Sequence, residues 1–189
     1  RGGGKRCLDL VLSLAMLVLM APLLLLSAIA IKLESRGPVL FIQARLGRGG
    51  RTFRVVKLRT MTDRPRQDRL QVFGDHCEVT RVGRWLRRTK IDELPQLWNV
   101  IRGEMSVVGP RPGLPEHLPE YDERGRRRLD VRPGLTGWAQ VNLAYAASIE
   151  DTMEKLRFDL YYIKNMSLLF DINIIARTVG AILFGKGAR

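Results

Sequence analysis

From Leu10 to Ile31 the chain carries no charged residue and is dominated by leucine. As a straight helix that run would extend about 33 Å, close to the hydrocarbon thickness of a bilayer. A 189-residue chain has room for one domain and cannot hide such a segment in its own core, so membrane insertion is expected. A cleaved signal peptide is disfavoured, because Lys32-Leu33-Glu34-Ser35 lacks a small-x-small cleavage pattern. Basic residues flank both ends: Arg1, Lys5 and Arg6 before it, then Lys32, Arg36, Arg45, Arg48, Arg51 and Arg54. Pro22, near the middle, removes the helical hydrogen bond to the carbonyl of Val18. Two arrangements fit these facts. A kinked, re-entrant helix would keep both basic flanks on the cytoplasmic side; an ordinary span would tolerate the proline.

Lysine and arginine total 32 against 19 aspartates and glutamates, a formal net charge of +13. A field of that sign attracts anions: nucleic acid, acidic lipid head groups or phosphorylated small molecules. The two cysteines make a reduced compartment the simple inference. Asp75-His76-Cys77 lacks the second pair of ligands that a zinc site needs.

Beyond the apolar run, residues 38–43 read as a strand and 52–58 as its partner. Gly47-Arg48-Gly49-Gly50-Arg51 supplies a hairpin turn. A phosphate-binding loop is the competing reading, but no Walker lysine-serine pair or dinucleotide fingerprint follows. Residues 61–79 read as a loop. Arg81, Arg84 and Arg88 recur along an expected helix, with Arg87 beside them, as a solvated face or a contact with acidic lipid. Residues 113–130 read as a loop leading into a polar helix, and Arg132 to Trp138 as a turn-rich connection. Ser148 and Asp151 approximate a capping box for a helix reaching Lys164, with Met153, Leu156, Leu160 and Ile163 as its apolar stripe and Asp159 outside it. Ser167 can cap a final helix from Leu168 to about Phe184, ended by Gly185 and apolar around most of its circumference. Core packing and the bilayer interface both suit it.

The chemistry concentrates in Lys90 to Gly103. Leu94, Leu97, Trp98 and Ile101 fall on one helical face, and Gly103 supplies a stop. Pro95 is tolerated only in a first turn, so the helix should begin close to residue 92. Asp92 and Glu93 then sit at the positive end of a helix dipole beside Arg87, Arg88 and Lys90, surroundings that favour ionised carboxylates. Gly109-Pro110-Arg111-Pro112 is a stiff turn presenting one arginine. Ionised acids beside guanidinium groups are what a divalent metal and a diphosphate need. A capped helix with surface ion pairs is the plain alternative.

These blocks together resemble the bacterial sugar transferases known as monotopic phosphoglycosyl transferases. The resemblance takes in Lys5-Arg6 with Asp9, the proline-broken apolar run, Lys57-Leu58-Arg59-Thr60-Met61 and Ile91 to Leu97. It continues through Gly103 to Pro112, Arg132 to Val141, and Phe158-Asp159-Leu160-Tyr161-Tyr162. It implies an α+β, mostly helical fold with an N-terminal re-entrant membrane helix, a small β-hairpin and a cytoplasmic helical catalytic domain with interfacial helices. The membrane part is expected over 1–36 and the catalytic part over 37–189. The implied reaction moves a sugar-1-phosphate from a UDP-sugar to polyprenol (undecaprenyl) phosphate, releasing UMP. It would pass through a covalent aspartyl intermediate and start exopolysaccharide, O-antigen or related glycan assembly at the cytoplasmic face of the bacterial inner membrane.

By the same resemblance Asp92 and Glu93 form the catalytic dyad and hold Mg²⁺, while Arg59, Arg87 and Arg111 bind substrate phosphate. Lys57, Arg88 and Asp159 are further candidate site residues, and Pro22 is the membrane kink. The implied partners are UDP-sugar, polyprenol phosphate and membrane lipids, without nucleic acid; a homo-oligomer is compatible with the family. Ala21 stands where members often carry serine before the membrane proline. Residue 1 is not methionine, so a fragment or processed form of a longer protein is expected. The rival is a membrane-tethered basic nucleic-acid-binding or scaffold protein. It offers no reason for paired acids beside arginines at a helix start, and the chain shows no aromatic–basic interleaving for stacking bases.

Overall fold

A computed structural model of the chain describes residues 2–62, 78–143 and 149–183. Asp75-His76-Cys77, most of the expected 61–79 loop, Ser148 and Gly185 lie outside the described residues. Helix α1 (Gly2–Glu34) runs unbroken across Pro22. Its apolar window has a mean hydropathy of 2.7 and is only 11% buried by the rest of the chain. Val11, Leu14, Val18, Leu19, Leu25 and Leu26 are all exposed, a surface that water would not tolerate.

Polar ties hold both ends of α1. Near its start, Arg6 donates to the carbonyls of Val100 (2.6 Å) and Ile101 (2.8 Å). Lys5 reaches Asp171 at 2.6 Å and the carbonyl of Val108 at 3.0 Å. Asp9 accepts from the Ser106 hydroxyl and the Val107 amide. At the far end, Arg59 donates to the carbonyls of Ser35 and Arg36, both at 2.9 Å. Glu34 accepts from the amides of Arg81 (2.7 Å) and Val82 (3.0 Å), satisfying donors at the start of helix α2 (Arg81–Thr89).

The expected hairpin is present as antiparallel β1 (Leu40–Leu46) and β2 (Thr52–Leu58), with Leu40 opposite Leu58 and Leu46 opposite Thr52. The first strand starts after Pro38, which has no amide proton for a ladder. Gly49 and Gly50 adopt φ of 69° and 76° in the turn, where a Cβ would be strained. A second pair joins β3 (Ser106–Val108) in parallel to β4 (Gly134–Thr136). The stretch expected to be only a turn-rich connection therefore contains a strand. Its glycines serve close approach: a Cβ on Gly134 would land on the Gly109 amide nitrogen, and one on Gly137 would meet the Gly109 carbonyl. Residues 113–130 form short 3-10 turns around α4 (Glu123–Arg126) rather than one polar helix.

After the short α5 (Trp138–Asn142) come α6 (Ile149–Lys164) and α7 (Leu168–Leu183). The Ser167 hydroxyl caps α7 through the Phe170 amide. The buried face of α6 differs from the expected stripe: Met153 is 56% exposed, whereas Asp159 and Tyr162 are buried. Arg128 and Lys5 reach in from outside α6 to satisfy those two groups, so polar side chains occupy the inner face. Helix α7 buries Asp171 and Ile174, which gives it the expected core packing on one side, and leaves Leu169 and Ile172 exposed on the other. Two apolar clusters result. Val55, Val100, Met105, Val107, Val108, Tyr162 and Ile174 form one; Ile31, Leu58, Leu86 and Ile91 form the other, which joins α1 to the hairpin and α2.

The glycine contact between β3 and β4 makes a clear prediction. Gly134→Ala forces backbone apart and should destabilise the fold by about 1–3 kcal/mol or more. Gly180→Ala, which meets only open space, should be neutral or slightly stabilising. Denaturation midpoints of the two variants in the same detergent decide this.

Candidate active site

Helix α2 ends at Lys90, whose φ of 58° turns the chain sharply. A 3-10 segment, Ile91–Gln96, follows before α3 (Leu97–Ile101) begins. The carboxylates therefore ride on a 3-10 turn containing Pro95, not on the first turn of an α-helix. This tight turn also changes what is inside: Trp98 is 54% exposed, while Asp92, Glu93, Gln96 and Asn99 are buried. Surface ion pairing does not describe these acids.

Glu93 is held by two cations. Lys57 Nζ lies 2.8 Å from Oε1, and Arg111 Nη2 lies 2.6 Å from the same oxygen with Nη1 3.3 Å from Oε2. Burial alone would raise the Glu93 carboxyl, but Arg111 and Lys57, by charge and hydrogen bonding, hold it well below the usual carboxylate range. Asp92 behaves oppositely. Burial and the neighbouring Glu93 charge push it up to about 6, against the partial opposition of Lys57, Lys90 and Arg87. The expectation that its surroundings favour ionisation is corrected for Asp92, because desolvation outweighs the cations. Its Oδ1 is buried and accepts no hydrogen bond among the described residues.

The other expected site residues divide. Arg87 is half-buried, donates from Nε to the Thr60 hydroxyl at 2.9 Å, and acts on Asp92 by charge. Arg111 faces Glu93. Asp159, buried and raised by desolvation, pairs with Arg128 at 2.8 Å; Arg128 also donates to the carbonyl of Arg111 at 3.2 Å, so this pair supports the Arg111 turn from behind. Arg88 is exposed on α2, and among the described residues no hydrogen bond or ion pair joins it to the carboxylates. Arg59 has a different place from the one expected. It is 6% exposed and its two terminal nitrogens are committed to the end of α1, which leaves them poorly placed for a substrate phosphate.

Sequence reasoning missed several neighbours. Asn99 accepts from the Val56 amide at 3.2 Å and donates to the Arg54 carbonyl at 2.7 Å, binding the β2 backbone and so placing Lys57. A lone amide inside the apolar run Leu97–Ile101 was the available signal. Arg45 donates to the Pro112 carbonyl, and with Lys57, Gln96 and Arg111 it lines a small cleft beside Glu93. Its place became visible only once β1 was registered against β2.

Residues 2–185 match the sequence profile of the bacterial sugar transferases. The chain belongs to the bacterial sugar transferase family. It is 45% identical over 98% of its length to a UDP-N-acetylgalactosamine-undecaprenyl-phosphate N-acetylgalactosaminephosphotransferase of Aeromonas hydrophila, covering 45% of that protein. It is 46% identical over 97% of its length to an undecaprenyl-phosphate glucose phosphotransferase of Komagataeibacter xylinus, covering 36% of it. An uncharacterized sugar transferase, EpsL, of Bacillus subtilis (strain 168) is 40% identical over 97% of this chain and is covered over 89% of its own length. The chain thus spans less than half of the first two relatives and most of the third. The rival nucleic-acid-binding or scaffold reading gains no support from the family match or from these relatives.

The opposed environments of the two acids can be read directly. In metal-free protein labelled with ¹³C at carboxyl carbons, Asp92 should titrate near pH 6 while Glu93 stays ionised below the usual carboxylate range. Arg111→Ala should move the Glu93 midpoint upward. Two ordinary titrations near pH 4 would contradict the geometry.

Proposed function

We propose that the chain is a phosphoglycosyl transferase unit that moves a sugar-1-phosphate from a UDP-sugar to polyprenyl phosphate and releases UMP. The observation that carries this reading is the pairing of unlike acids: Glu93 neutralised by Lys57 and Arg111, and Asp92 with one oxygen free of partners. The activities for which the Aeromonas and Komagataeibacter relatives are named supply the substrate class. Asp92 is the nucleophile. Its carboxylate oxygen bonds to the phosphorus that carries the sugar, the bond from that phosphorus to the bridging oxygen breaks, and UMP leaves with the electron pair. A phosphate oxygen of the polyprenyl acceptor then attacks the same phosphorus and expels Asp92, giving a polyprenyl diphosphate sugar.

Arg87, which acts on Asp92 by charge, and Arg111, which holds Glu93, oppose the charge growing on the leaving UMP. Lys57 and Arg111 keep Glu93 ionised. Among the described residues no cluster of three or more metal-ligating side chains exists. The free Oδ1 of Asp92 nevertheless fits Mg²⁺, which binds through one or two carboxylates together with substrate phosphates. When bound, Mg²⁺ would neutralise diphosphate charge. Asp92→Asn, which retains size but not nucleophilicity, should reduce UMP release across a panel of UDP-sugars by several orders of magnitude. Mass spectrometry of wild type incubated without acceptor should find a sugar-phosphate adduct on Asp92. Near-normal turnover by the asparagine variant would sink the mechanism.

The same reading places the catalytic body at the cytoplasmic face, with α1 entering and leaving the membrane on one side. The ties at Lys5, Arg6 and Asp9 and those at Glu34, Ser35 and Arg36 join one charged body to both ends of α1. A spanning helix would demand that this body reach both sides of the bilayer. In a Cys7→Ser, Cys77→Ser background, Gly3→Cys and Arg48→Cys should both resist an impermeant thiol reagent in intact cells. Labelling at position 3 alone would establish a span.

A further inference from the structure

The hairpin carries apolar side chains where a water-facing ribbon would be polar. In an antiparallel pair, residues directly opposite share a face and successive residues alternate. Leu40 and Ile42 share a face with Leu58 and Val56, whereas Phe41 shares the other face with Lys57. Leu40, Phe41 and Ile42 are 45%, 48% and 55% exposed. Apolar surface therefore lies open on both faces of one strand.

The two faces lead to different places. Leu58, on the Leu40–Ile42 face, is buried with Ile31 of α1 and with Leu86 and Ile91. Lys57, on the Phe41 face, holds Glu93. The root of the strand is fixed to the same end of α1, because the Arg59 amide donates to the Val39 carbonyl at 2.8 Å while its guanidinium binds Ser35 and Arg36. Leu40, Phe41 and Ile42 thus make an apolar ridge on β1 that borders the cluster at the end of α1 on one face and Lys57, which holds Glu93, on the other.

We propose that this ridge seats the first isoprenoid units of the polyprenyl phosphate acceptor, with the phosphate directed to Asp92. This rests on the proposed function. An acceptor of that kind must bring its phosphate to a buried carboxylate while its hydrocarbon stays out of water. An isoprenoid has no hydrogen-bonding group, so branched and aromatic side chains are what can hold it. Simple contact with lipid would require only the face that adjoins α1. Phe41, on the Lys57 face, has a use only if the apolar occupant continues toward the site.

The test compares Phe41→Ser, Ile42→Ser and Phe41→Leu with wild type, each as the full chain in nanodiscs. The donor is whichever UDP-sugar wild type turns over fastest, and the acceptor is undecaprenyl phosphate. Each serine variant should raise the acceptor KM by roughly tenfold with little change in the UDP-sugar KM, and Phe41→Leu should recover most of the loss. Binding to anionic vesicles and molecular mass in detergent are measured alongside. An unchanged acceptor KM overturns the inference and leaves the proposed function standing. So does a fall in vesicle binding that accounts for the loss, which makes the ridge a lipid anchor, or a changed mass, which makes it a contact between copies. Absence of UMP release by wild type with every donor overturns both.

Discussion

Two cations from distant parts of the chain converge on one buried carboxylate, and the site is organised around that convergence. Lys57 comes from the hairpin, Arg111 from the turn after β3, and Glu93 from the 3-10 segment between α2 and α3. Removing either cation would leave a buried charge undercompensated, which is far more damaging than losing a surface pair. The convergence also fixes the electrostatics of the next residue. With Glu93 ionised beside it, Asp92 carries the burden of desolvation and is pushed up to about 6. One acid is a fixed charge and the other is a responsive one.

Around this centre the chain is laced to α1 by main-chain hydrogen bonds to side chains. Arg6 closes the carbonyls at the end of α3, Glu34 closes the amides at the start of α2, and Arg59 closes the carbonyls at the end of α1. The first two use helix termini, where backbone groups lack intrahelical partners, and Arg59 takes the carbonyls just past the end of α1. The exposed apolar helix α1 and the acid-bearing turn are thereby joined through polar contacts that hydrophobic packing alone could not orient. Arg59 belongs to this joint. Thr60, next to it in sequence, accepts from Arg87, which acts on Asp92 by charge.

Much of this was legible in the sequence because its signals are local. The uncharged run, the glycine-rich hairpin turn, the Ser167 cap and the acid pair next to Pro95 each follow from composition or spacing over a few residues. What escaped depended on distant partners. Asp159 reads only as a residue outside the apolar stripe of its helix until Arg128 is brought to it, and β4 reads as a turn-rich connection until Gly109 lies against Gly134. The basic positions were also readable as a set but not by role: Arg59 and Arg111 look alike in sequence, yet one ties backbone and the other meets a carboxylate. Burial decided the remaining case, since spacing placed Asp92 among cations but could not reveal how much water it would lose.

A two-stranded ribbon has two lateral edges, and each is a template on which another strand can add. Asn99 occupies one of them. By accepting from Val56 and donating to Arg54, its amide mimics a neighbouring strand along β2 with a single side chain. Lateral growth of the hairpin from that side is closed off in the folded chain. The residue that holds the β2 backbone beside Lys57 therefore also occupies the backbone groups on which a further strand would have to pair.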